Sequence, residues 1–274
     1  MTRAGLWARA GTGDVPSFTW QRDPLRDGYI VAASLWCLAI AAGVVTAGVD
    51  AQNFYAHLGD PYAVHDYSSG QGFYYAPPVA LVLRLLMPFG VHVFAAVMSG
   101  IGLAALGWIG GRWAWALLFF PPVWWDITGG NVNTLIGAAS IALLARPAWI
   151  GVLALSKVTP GLVGLWWVVR GEWRAVREAV AVTGAVCLVS LLIVPDWWGA
   201  WVTGLLTNGT GYIPAIFAVP VPLLPRLILA AVVVVIGARQ DRRWTLPLAA
   251  CIALPVLWWS GLAVLVGMVR RSRP

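Results

Sequence analysis

The chain has 274 residues, of which 60% are hydrophobic and only 11% are charged. Soluble domains carry about 25% charged residues, so this composition excludes an ordinary soluble domain and indicates a polytopic, all-α membrane protein. The net charge is +7, but the basic residues are scattered near the ends of apolar segments, so no nucleic-acid partner is expected. The chain lacks phosphate-binding and dinucleotide-binding glycine motifs, and its three cysteines lie in apolar stretches, so neither a cofactor nor a metal site is expected.

The N-terminal region is polar and rich in arginine. Residues 1–27 contain four arginines before the first apolar stretch, which predicts a cytoplasmic segment. The uncharged stretch 28–49 is long enough to cross a bilayer and is expected to be retained as an anchor. We therefore predict one transmembrane domain at 28–268 and a basic tail at 269–274.

The distribution of arginine also predicts the orientation of the later loops. The stretches 170–178 and 238–244 are basic and are predicted to be cytoplasmic. The stretches 50–76 and 195–214 contain no lysine or arginine and are predicted to be external loops.

Eight apolar stretches follow the first span, at 77–90, 91–110, 113–125, 132–145, 148–169, 179–194, 217–238 and 245–268. If each crosses once, the chain is inside near Pro88, outside near Arg112, inside near Asn131 and outside near Arg146. An alternative places the Asn131 turn outside and makes 148–169 a hairpin around Pro160.

Three of these stretches are too short or too broken to be ordinary spans. About 14 helical residues reach about 21 Å, whereas the bilayer core is about 30 Å thick. Prolines also interrupt 77–90 and 113–125. Such pieces are tolerated at membrane depth only where protein or a water-filled cavity covers the backbone, so short broken helices are expected to surround a cavity.

The predicted first external loop has an unusual composition. Asp50 closes the first apolar stretch, and residues 50–78 contain three Asp, two His, five Tyr and two Phe. Such aromatic density predicts a folded site at the bilayer surface, although a span-terminal acid is often only solvated. Asp60 lies in a Gly-Asp-Pro turn, and His65 with Asp66 forms a second candidate acid–base pair.

Lys157 is the only lysine in the chain and has apolar neighbours on both sides. Charges inside a membrane usually face a cavity or a partner, so Lys157 is a candidate ligand for a phosphate group. Thr159 and the helix break at Pro160 would add polar donors. The alternative is a lysine that extends from a tilted span to the interface. Arg84 is a second candidate ligand for a phosphate group, and the alternative is again a side chain that extends to the membrane interface.

Two further groups of residues have both a structural and a functional interpretation. Asn131 and Asn133 precede an apolar helix, where such residues cap helices and where anions also bind. Many of the 18 tryptophans are expected to form interfacial belts. Those at 197, 198 and 201 are candidates for stacking on a sugar or a polyprenyl chain.

Several motifs occur in a recognisable order. The aromatic loop contains Asp50, Phe54-Tyr55, Gly59-Asp60-Pro61-Tyr62 and Phe73-Tyr74-Tyr75-Ala76-Pro77-Pro78. Later motifs are Gly130-Asn131-Val132-Asn133, Lys157-Val158-Thr159-Pro160, and Trp197-Trp198 followed by Asn208. Over most of residues 45–260, this order resembles the GT-C-type membrane mannosyltransferases of actinobacteria, which use polyprenol-phosphate-mannose.

The resemblance implies a GT-C-like bundle of about 8–10 spans in the bacterial plasma membrane. It also implies inverting transfer, on the external face of the membrane, of a mannosyl or related residue from a polyprenyl-phosphate donor to a lipid or glycan acceptor of the envelope. Asp50 would be the catalytic base, and Lys157 and Arg84 would bind the donor phosphate. Further substrate contacts would come from Tyr55, Asp60, Tyr62, Tyr75, Asn131, Asn133, Thr159 and Asn208.

The chain departs from the family pattern in two respects. It resembles a short member, and its late motif, Pro255-Val256-Leu257-Trp258-Trp259-Ser260, lacks the expected histidine. These departures leave three alternatives. The chain uses a different acceptor, it is a reduced form of the family's enzymes, or it is a non-catalytic paralogue that serves as an envelope-assembly scaffold. A lipid or sugar transporter is another, but transporters tend to contain internal repeats, and none is evident here.

Overall fold

Helices are the regular secondary structure throughout the residues described by this computed structural model, which are 23–63, 72–208 and 220–269. The predicted all-α fold is confirmed for these ranges. The α-helices in chain order are α1 (Pro24–Ala41), α2 (Val49–His57), α3 (Pro77–Arg84), α4 (Gly90–Gly110), α5 (Ala114–Leu118), α6 (Pro121–Gly129), α7 (Asn133–Ala142), α8 (Ile150–Lys157), α9 (Leu165–Arg170), α10 (Trp173–Ile193), α11 (Pro195–Asn208), α12 (Leu223–Arg239) and α13 (Thr245–Ile252). Two longer 3₁₀ helices occupy Thr159–Gly164 and Trp259–Val269.

Proline determines where several helices begin. Pro24, Pro77, Pro121 and Pro195 each lie at the first position of a helix, where the missing N–H has no intrahelical acceptor to lose. Asp23 caps α1, since its Oδ1 accepts hydrogen bonds of 3.1 and 3.4 Å from two backbone N–H groups in the first turn. The short helices in 77–90 and 113–125 follow from the proline breaks, whereas α7, in 132–145, begins after the left-handed Gly130.

Helices α1 and α4 pack antiparallel. The hydroxyl of Tyr29, early in α1, donates a 2.7 Å hydrogen bond to the backbone oxygen of Leu103, late in α4. Just beyond α1, a Cβ added to Gly43 would lie 3.8 Å from the imidazole of His92 in the first turn of α4. The chain therefore leaves α1 and enters α4 at the same end of the bundle.

We name the two ends of the bundle the Asp23 end, where α1 begins, and the Asp50 end, where α4 begins. Helix α3 remains at the Asp50 end, because the hydroxyl of Tyr55 in α2 donates a 3.1 Å hydrogen bond to the backbone oxygen of Met87, just beyond α3. The expectation that 77–90 crosses the bundle is wrong. Its eight-residue helix is only about 12 Å long.

The segment after α4 returns from the Asp23 end to the Asp50 end. Arg112 Nε lies 4.0 Å from Oδ2 of Asp23. The indole of Trp115 donates a 2.8 Å hydrogen bond to a backbone oxygen at the start of α1. The single-crossing path, which placed Arg112 on the side of Asp50 and Asn131 on the opposite side, is therefore wrong. The alternative, with the Asn131 turn on the side of Asp50, agrees with the structure.

The stretch 148–169 is a hairpin around Pro160, as in that alternative. Helix α8 runs towards the Asp50 end, where Leu155 O accepts a 2.8 Å hydrogen bond from Ala76 N. The 3₁₀ helix that follows packs back on α8, and a Cβ added to Gly161 would lie 3.2 Å from the Cβ of Ala154. Lys157 thus comes close to the tip of this hairpin.

The two basic stretches predicted to be cytoplasmic lie together. Arg170, at the end of α9, donates hydrogen bonds of 3.2 Å to the backbone oxygen of Ala238 and 3.0 Å to Oδ1 of Asp241. These contacts place the regions near 170 and 240 at one end of the bundle, at the opposite end of α9 from the hairpin tip.

The first apolar stretch is also organised differently from the prediction. We expected one span at 28–49 with Asp50 at its exit. Instead α1 ends at Ala41, and Asp50 lies in the first turn of α2. An acid in the first turn of a helix interacts favourably with the helix dipole, whereas the predicted position at a C-terminus would have opposed it.

Helix α10 exposes a large apolar surface. It has 21 residues, and Leu192 is 76% exposed, with Val180, Leu188 and Ile193 also exposed. Within the described ranges, Pro77–Leu118 and Trp173–Ile193 are the two helical stretches that are long and apolar enough to cross a membrane. These surfaces support membrane association.

Candidate functional site

A close backbone contact positions the start of α2. Gly48 precedes α2 and packs against Thr128, so a Cβ on Gly48 would overlap the backbone oxygen of Thr128. On the other side of the contact, Gly130 has φ +78°, and a Cβ there would lie 2.7 Å from the Cβ of Ala51. Glycine is required at both positions by this close approach, and at Gly130 also by the left-handed conformation.

Asp50 contacts the same turn through its side chain. Nδ2 of Asn131 donates a 2.8 Å hydrogen bond to Oδ2 of Asp50. Oδ1 of Asn131 accepts a 2.8 Å hydrogen bond from the backbone N–H of Val132, which fixes the orientation of the carboxamide. Asp50 is half-buried, and its Oδ1 has no hydrogen-bond partner within the described part of the chain. With respect to these residues, Oδ1 can still accept a hydrogen bond from a ligand.

Asp126 is a fully buried acid in α6 next to this contact. Its relative exposure is 0%. Oδ1 accepts hydrogen bonds from N and Nδ2 of Asn133, at 3.1 and 2.8 Å. Oδ2 accepts hydrogen bonds from N and Oγ1 of Thr134, both at 2.7 Å. The carboxylate caps the N-terminus of α7, where negative charge is favoured.

Lys157 brings a positive charge to the two acids. It is the last residue of α8, where the helix dipole favours a cation, and it is half-buried. Asp126 and Asp50 both attract its ammonium group electrostatically. No carboxylate of the described residues lies within 4.0 Å of that group. The cation is thus held near two acids without a direct ion pair.

Two buried polar atoms beside Asp126 lack a partner. The hydroxyl of Tyr75 and Oδ1 of Asn133 make no hydrogen bond with the residues that the structure describes. Both side chains are 1% exposed. Asp50 and Asp126 are close enough to interact electrostatically with the Tyr75 hydroxyl. Since buried polar groups are normally hydrogen-bonded, these atoms are candidates for contact with a bound polar molecule.

Of the predicted site residues, Asp50, Tyr75, Asn131, Asn133 and Lys157 are brought together. We call these five residues and Asp126 the acidic cluster. It joins four separate parts of the chain: the start of α2, the segment before α3, the α6–α7 turn and the end of α8. The amides of Asn131 and Asn133, the hydroxyl of Tyr75 and the ammonium of Lys157 are hydrogen-bond donors in this cluster.

The predicted tyrosines other than Tyr75 have structural contacts. The Tyr55 hydroxyl donates to Met87 O, and its ring packs against Phe94 at 5.8 Å between centroids. The Tyr62 hydroxyl donates a 2.6 Å hydrogen bond to Tyr75 O. The hydrogen bond from Tyr62 holds the backbone of Tyr75 and so supports the acidic cluster indirectly.

Three other predicted residues lie outside the acidic cluster. Asp60 is exposed, and its backbone oxygen accepts a 3.4 Å turn hydrogen bond from Ala63 N, in agreement with the turn interpretation. Thr159 donates its hydroxyl to Ala253 O. Arg84 is exposed, and its guanidinium lies 5.4 Å from the centroid of the Trp197 ring. His65, Asp66 and the side chain of Asn208 lie outside the described residues.

The predicted external loop at 195–214 is helical over its first part, as α11. Trp201 is 8% exposed, and its indole donates a 3.2 Å hydrogen bond to the backbone oxygen of Tyr74. The ring of Trp197 packs edge-to-face against that of Tyr62, with centroids 6.1 Å apart. The structure thus places these tryptophans against the aromatic segment around Tyr75.

The late motif is held by a buried arginine. Nη1 of Arg226, from α12, donates hydrogen bonds to the backbone oxygens of Ile252 and Leu254, and Nη2 donates one to Pro255 O. These oxygens belong to the break between α13 and the last 3₁₀ helix, so Arg226 satisfies backbone groups that the break leaves free. Together with Thr159, it anchors the segment in which the resemblance led us to expect a histidine.

Sequence reasoning missed Asp126 and Arg226. Asp126 is an acid within the apolar run Pro-Pro-Val-Trp-Trp-Asp-Ile, and an intramembrane acid is a signal of function or of pairing. The sequence contained that signal. The hydrogen-bond partners of Asp126, at positions 133 and 134, are evident only from the geometry of the α6–α7 turn. Arg226 lies between apolar residues and offered a similar signal.

One of three comparisons with known proteins found a match, and that match is to a glycosyltransferase family. No curated protein and no solved structure matches the chain significantly. The model of glycosyltransferase family 87 matches residues 73–273. Five of the six residues of the acidic cluster lie in the matched range, and Asp50 precedes it. Because this match covers well over half of the chain, the chain belongs to glycosyltransferase family 87.

Proposed function

We propose that this chain is a membrane glycosyltransferase with its active site in the acidic cluster. It transfers a mannosyl or related residue from a polyprenyl-phosphate sugar to a lipid or glycan acceptor of the cell envelope. Membership of a glycosyltransferase family supports transfer between a sugar donor and an acceptor. The hydrogen bond between Asp50 and Asn131, with the charge of Lys157 near enough to be attracted by Asp50, is the observation that carries the assignment of the site.

The protein spans the bacterial plasma membrane several times, with the Asp50 end outside. The exposed apolar face of α10 supports contact with lipid. Basic residues support the orientation: Arg26 and Arg112 lie at the Asp23 end, and the basic stretches around 170 and 240 lie together. A polyprenyl donor presents its phosphate at the level of the lipid headgroups, which suits a site near one end of the bundle.

Asp50 acts as the general base. Its Oδ1 takes the proton of an acceptor hydroxyl while the hydroxyl oxygen attacks the anomeric carbon of the donor. The bond between that carbon and the phosphate oxygen breaks, polyprenyl phosphate leaves, and the configuration at the anomeric carbon inverts. The hydrogen bond from Asn131 to Oδ2 holds the carboxylate so that Oδ1 remains available.

Lys157 binds the donor phosphate and stabilises the charge that develops as it leaves. Its ammonium has no direct carboxylate partner in the described ranges, so a phosphate oxygen can take that position. Tyr75 and Asn133 are proposed to bind sugar hydroxyls, because their unpartnered polar atoms are a donor–acceptor pair of the kind that a hydroxyl satisfies. Arg84, with its cation–π contact to Trp197, stays a secondary candidate.

The test is a transfer assay on membranes that contain the full chain and radiolabelled polyprenyl-phosphate-mannose, with lipid, glycan and protein products separated. Wild-type membranes are expected to label one acceptor class, and Asp50→Asn membranes are expected to lose the label. Asp60→Asn is the matched control, because Asp60 is an exposed acid in a turn 10 positions further along the chain. Equal transfer by Asp50→Asn and wild type would refute the assignment, and absence of transfer in wild type would favour a scaffold or a transporter.

A further inference from the structure

Asp126 is a buried acid that has no part in the chemistry proposed above. We propose that it is a positioning residue, which sets the orientation of the catalytic base Asp50 through the α6–α7 turn and Asn131. The inference depends on the proposed role of Asp50. It adds a function for an acid that faces neither solvent nor, in the proposed mechanism, the substrate.

The first step of the argument is that Asp126 holds the turn from both sides. Its backbone oxygen accepts a 3.0 Å hydrogen bond from the N–H of Asn131. Its carboxylate accepts four hydrogen bonds from the first two residues of α7, Asn133 and Thr134. Backbone and side chain of one residue therefore fix the position of the turn relative to α6 and to α7.

The second step is that the turn holds Asp50. The carboxamide of Asn131 is fixed on one side by the N–H of Val132 and donates on the other to Asp50. The backbone that carries Asp50 rests on the same turn, since Gly48 packs against Thr128 and Gly130 against Ala51. A shift of the turn would thus move both the main chain and the hydrogen-bond donor of the base.

The third step concerns magnitude. A displacement of about 1 Å in a reacting group can cost about 10²-fold in rate. Asp126→Asn keeps the size of the side chain but turns one of the two acceptor oxygens into a donor that faces an N–H and a second donor group. We therefore expect kcat to fall about 10²-fold.

A double-mutant cycle separates this role from a general contribution to folding. Asp126→Asn, Asn131→Ala and the double variant are compared with wild type in the transfer assay, after each has been purified in detergent as a monodisperse species. If Asp126 acts through Asn131 and the turn that carries it, the double variant retains about the kcat of the less active of the two single variants. Multiplication of the two single losses would overturn the inference.

Two further variants keep the test decisive. Ser99→Ala removes another buried hydrogen bond to α6, of 2.8 Å to Ile127 O, and is expected to leave kcat unchanged. If Asp126→Asn does not fold, Thr134→Val takes its place, because it removes one hydroxyl donor from Oδ2 and keeps the backbone hydrogen bond. A kcat for Thr134→Val equal to that of wild type would contradict the inference.

A measurement without catalysis separates failure of this inference from failure of the proposed function. The coupling between Asp50→Asn and Asn131→Ala is determined from unfolding temperatures, once in the wild-type background and once with Thr134→Val. We expect the coupling to be lost or reduced in the second background. Equal coupling in both backgrounds would overturn the positioning role even if the wild-type protein transferred no sugar.

Discussion

The side chains of Asp50 and Asn131 are joined by a 2.8 Å hydrogen bond across 81 positions of the chain. It links the first turn of α2 to the turn between α6 and α7, and it leaves one oxygen of the carboxylate without a partner among the described residues. In a glycosyltransferase of family 87, such an oriented carboxylate with a cation nearby is suited to general-base chemistry.

We predict that substitution of Asn131 lowers kcat, and that the loss is larger when the new side chain also repels the Asp50 carboxylate. Asn131→Ala removes the hydrogen bond and is expected to lower kcat about 10- to 100-fold, since hydrogen bonds to charged groups contribute about 1.5–3 kcal/mol. Asn131→Asp keeps the acceptor for Val132 N but places a second carboxylate against Asp50, so its loss should be greater at neutral pH. Initial rates at saturating donor measure both. A smaller loss in the Asp variant than in the Ala variant would contradict the arrangement.

Lys157 is predicted to determine donor affinity rather than stability. Lys157→Met should raise KM for the polyprenyl-phosphate sugar about 10- to 100-fold, because a charge-assisted contact to phosphate is lost. The unfolding temperature should change little, since Asp126 retains four hydrogen bonds without the lysine. Donor titrations and thermal unfolding in detergent are the measurements. Poor expression with a normal KM in the surviving protein would instead indicate a structural lysine.

Gly48 is predicted to be required for stability. Gly48→Ala places a Cβ against the backbone oxygen of Thr128, which cannot move away as a flexible side chain would, and should destabilise the protein by about 1–3 kcal/mol. Gly28→Ala is the matched control. Gly28 lies in α1 with nothing within 4 Å of an added Cβ, so alanine should stabilise by about 0.5–1 kcal/mol. Thermal unfolding of both variants checks the prediction, and equal effects would refute the close contact.

The position of α3 at the Asp50 end predicts a specific labelling pattern. In a background with the three cysteines replaced, Gly59→Cys and Phe89→Cys should both react with a membrane-impermeant thiol reagent added outside intact cells. Asp241→Cys should react only after permeabilisation, since it lies in the region predicted to be cytoplasmic. All three positions are exposed. Reaction of Phe89→Cys only after permeabilisation would restore a crossing at 77–90.

The sequence was sufficient to predict the features that depend on composition and on local geometry. Low charge and high hydrophobicity indicate a membrane protein, because charged groups are costly in hydrocarbon. Prolines predict that the stretches 77–90 and 113–125 are interrupted, because proline acts within one turn through its own missing N–H and its ring. Most of the acidic cluster was also predicted as individual residues, on the basis of family motifs and rare charges.

Only the tertiary structure decided which of these residues meet and at which end. Whether α3 crosses the bundle depends on the antiparallel pairing of α1 with α4, and whether Asn131 reaches Asp50 depends on a contact between distant backbones. Asp126 was overlooked because its partners lie beyond a left-handed glycine turn, and no local pattern shows that such a turn brings its carboxylate to the start of the next helix. Hydropathy is a property of each segment, whereas contacts are a property of pairs of segments, and only close packing selects the pairs.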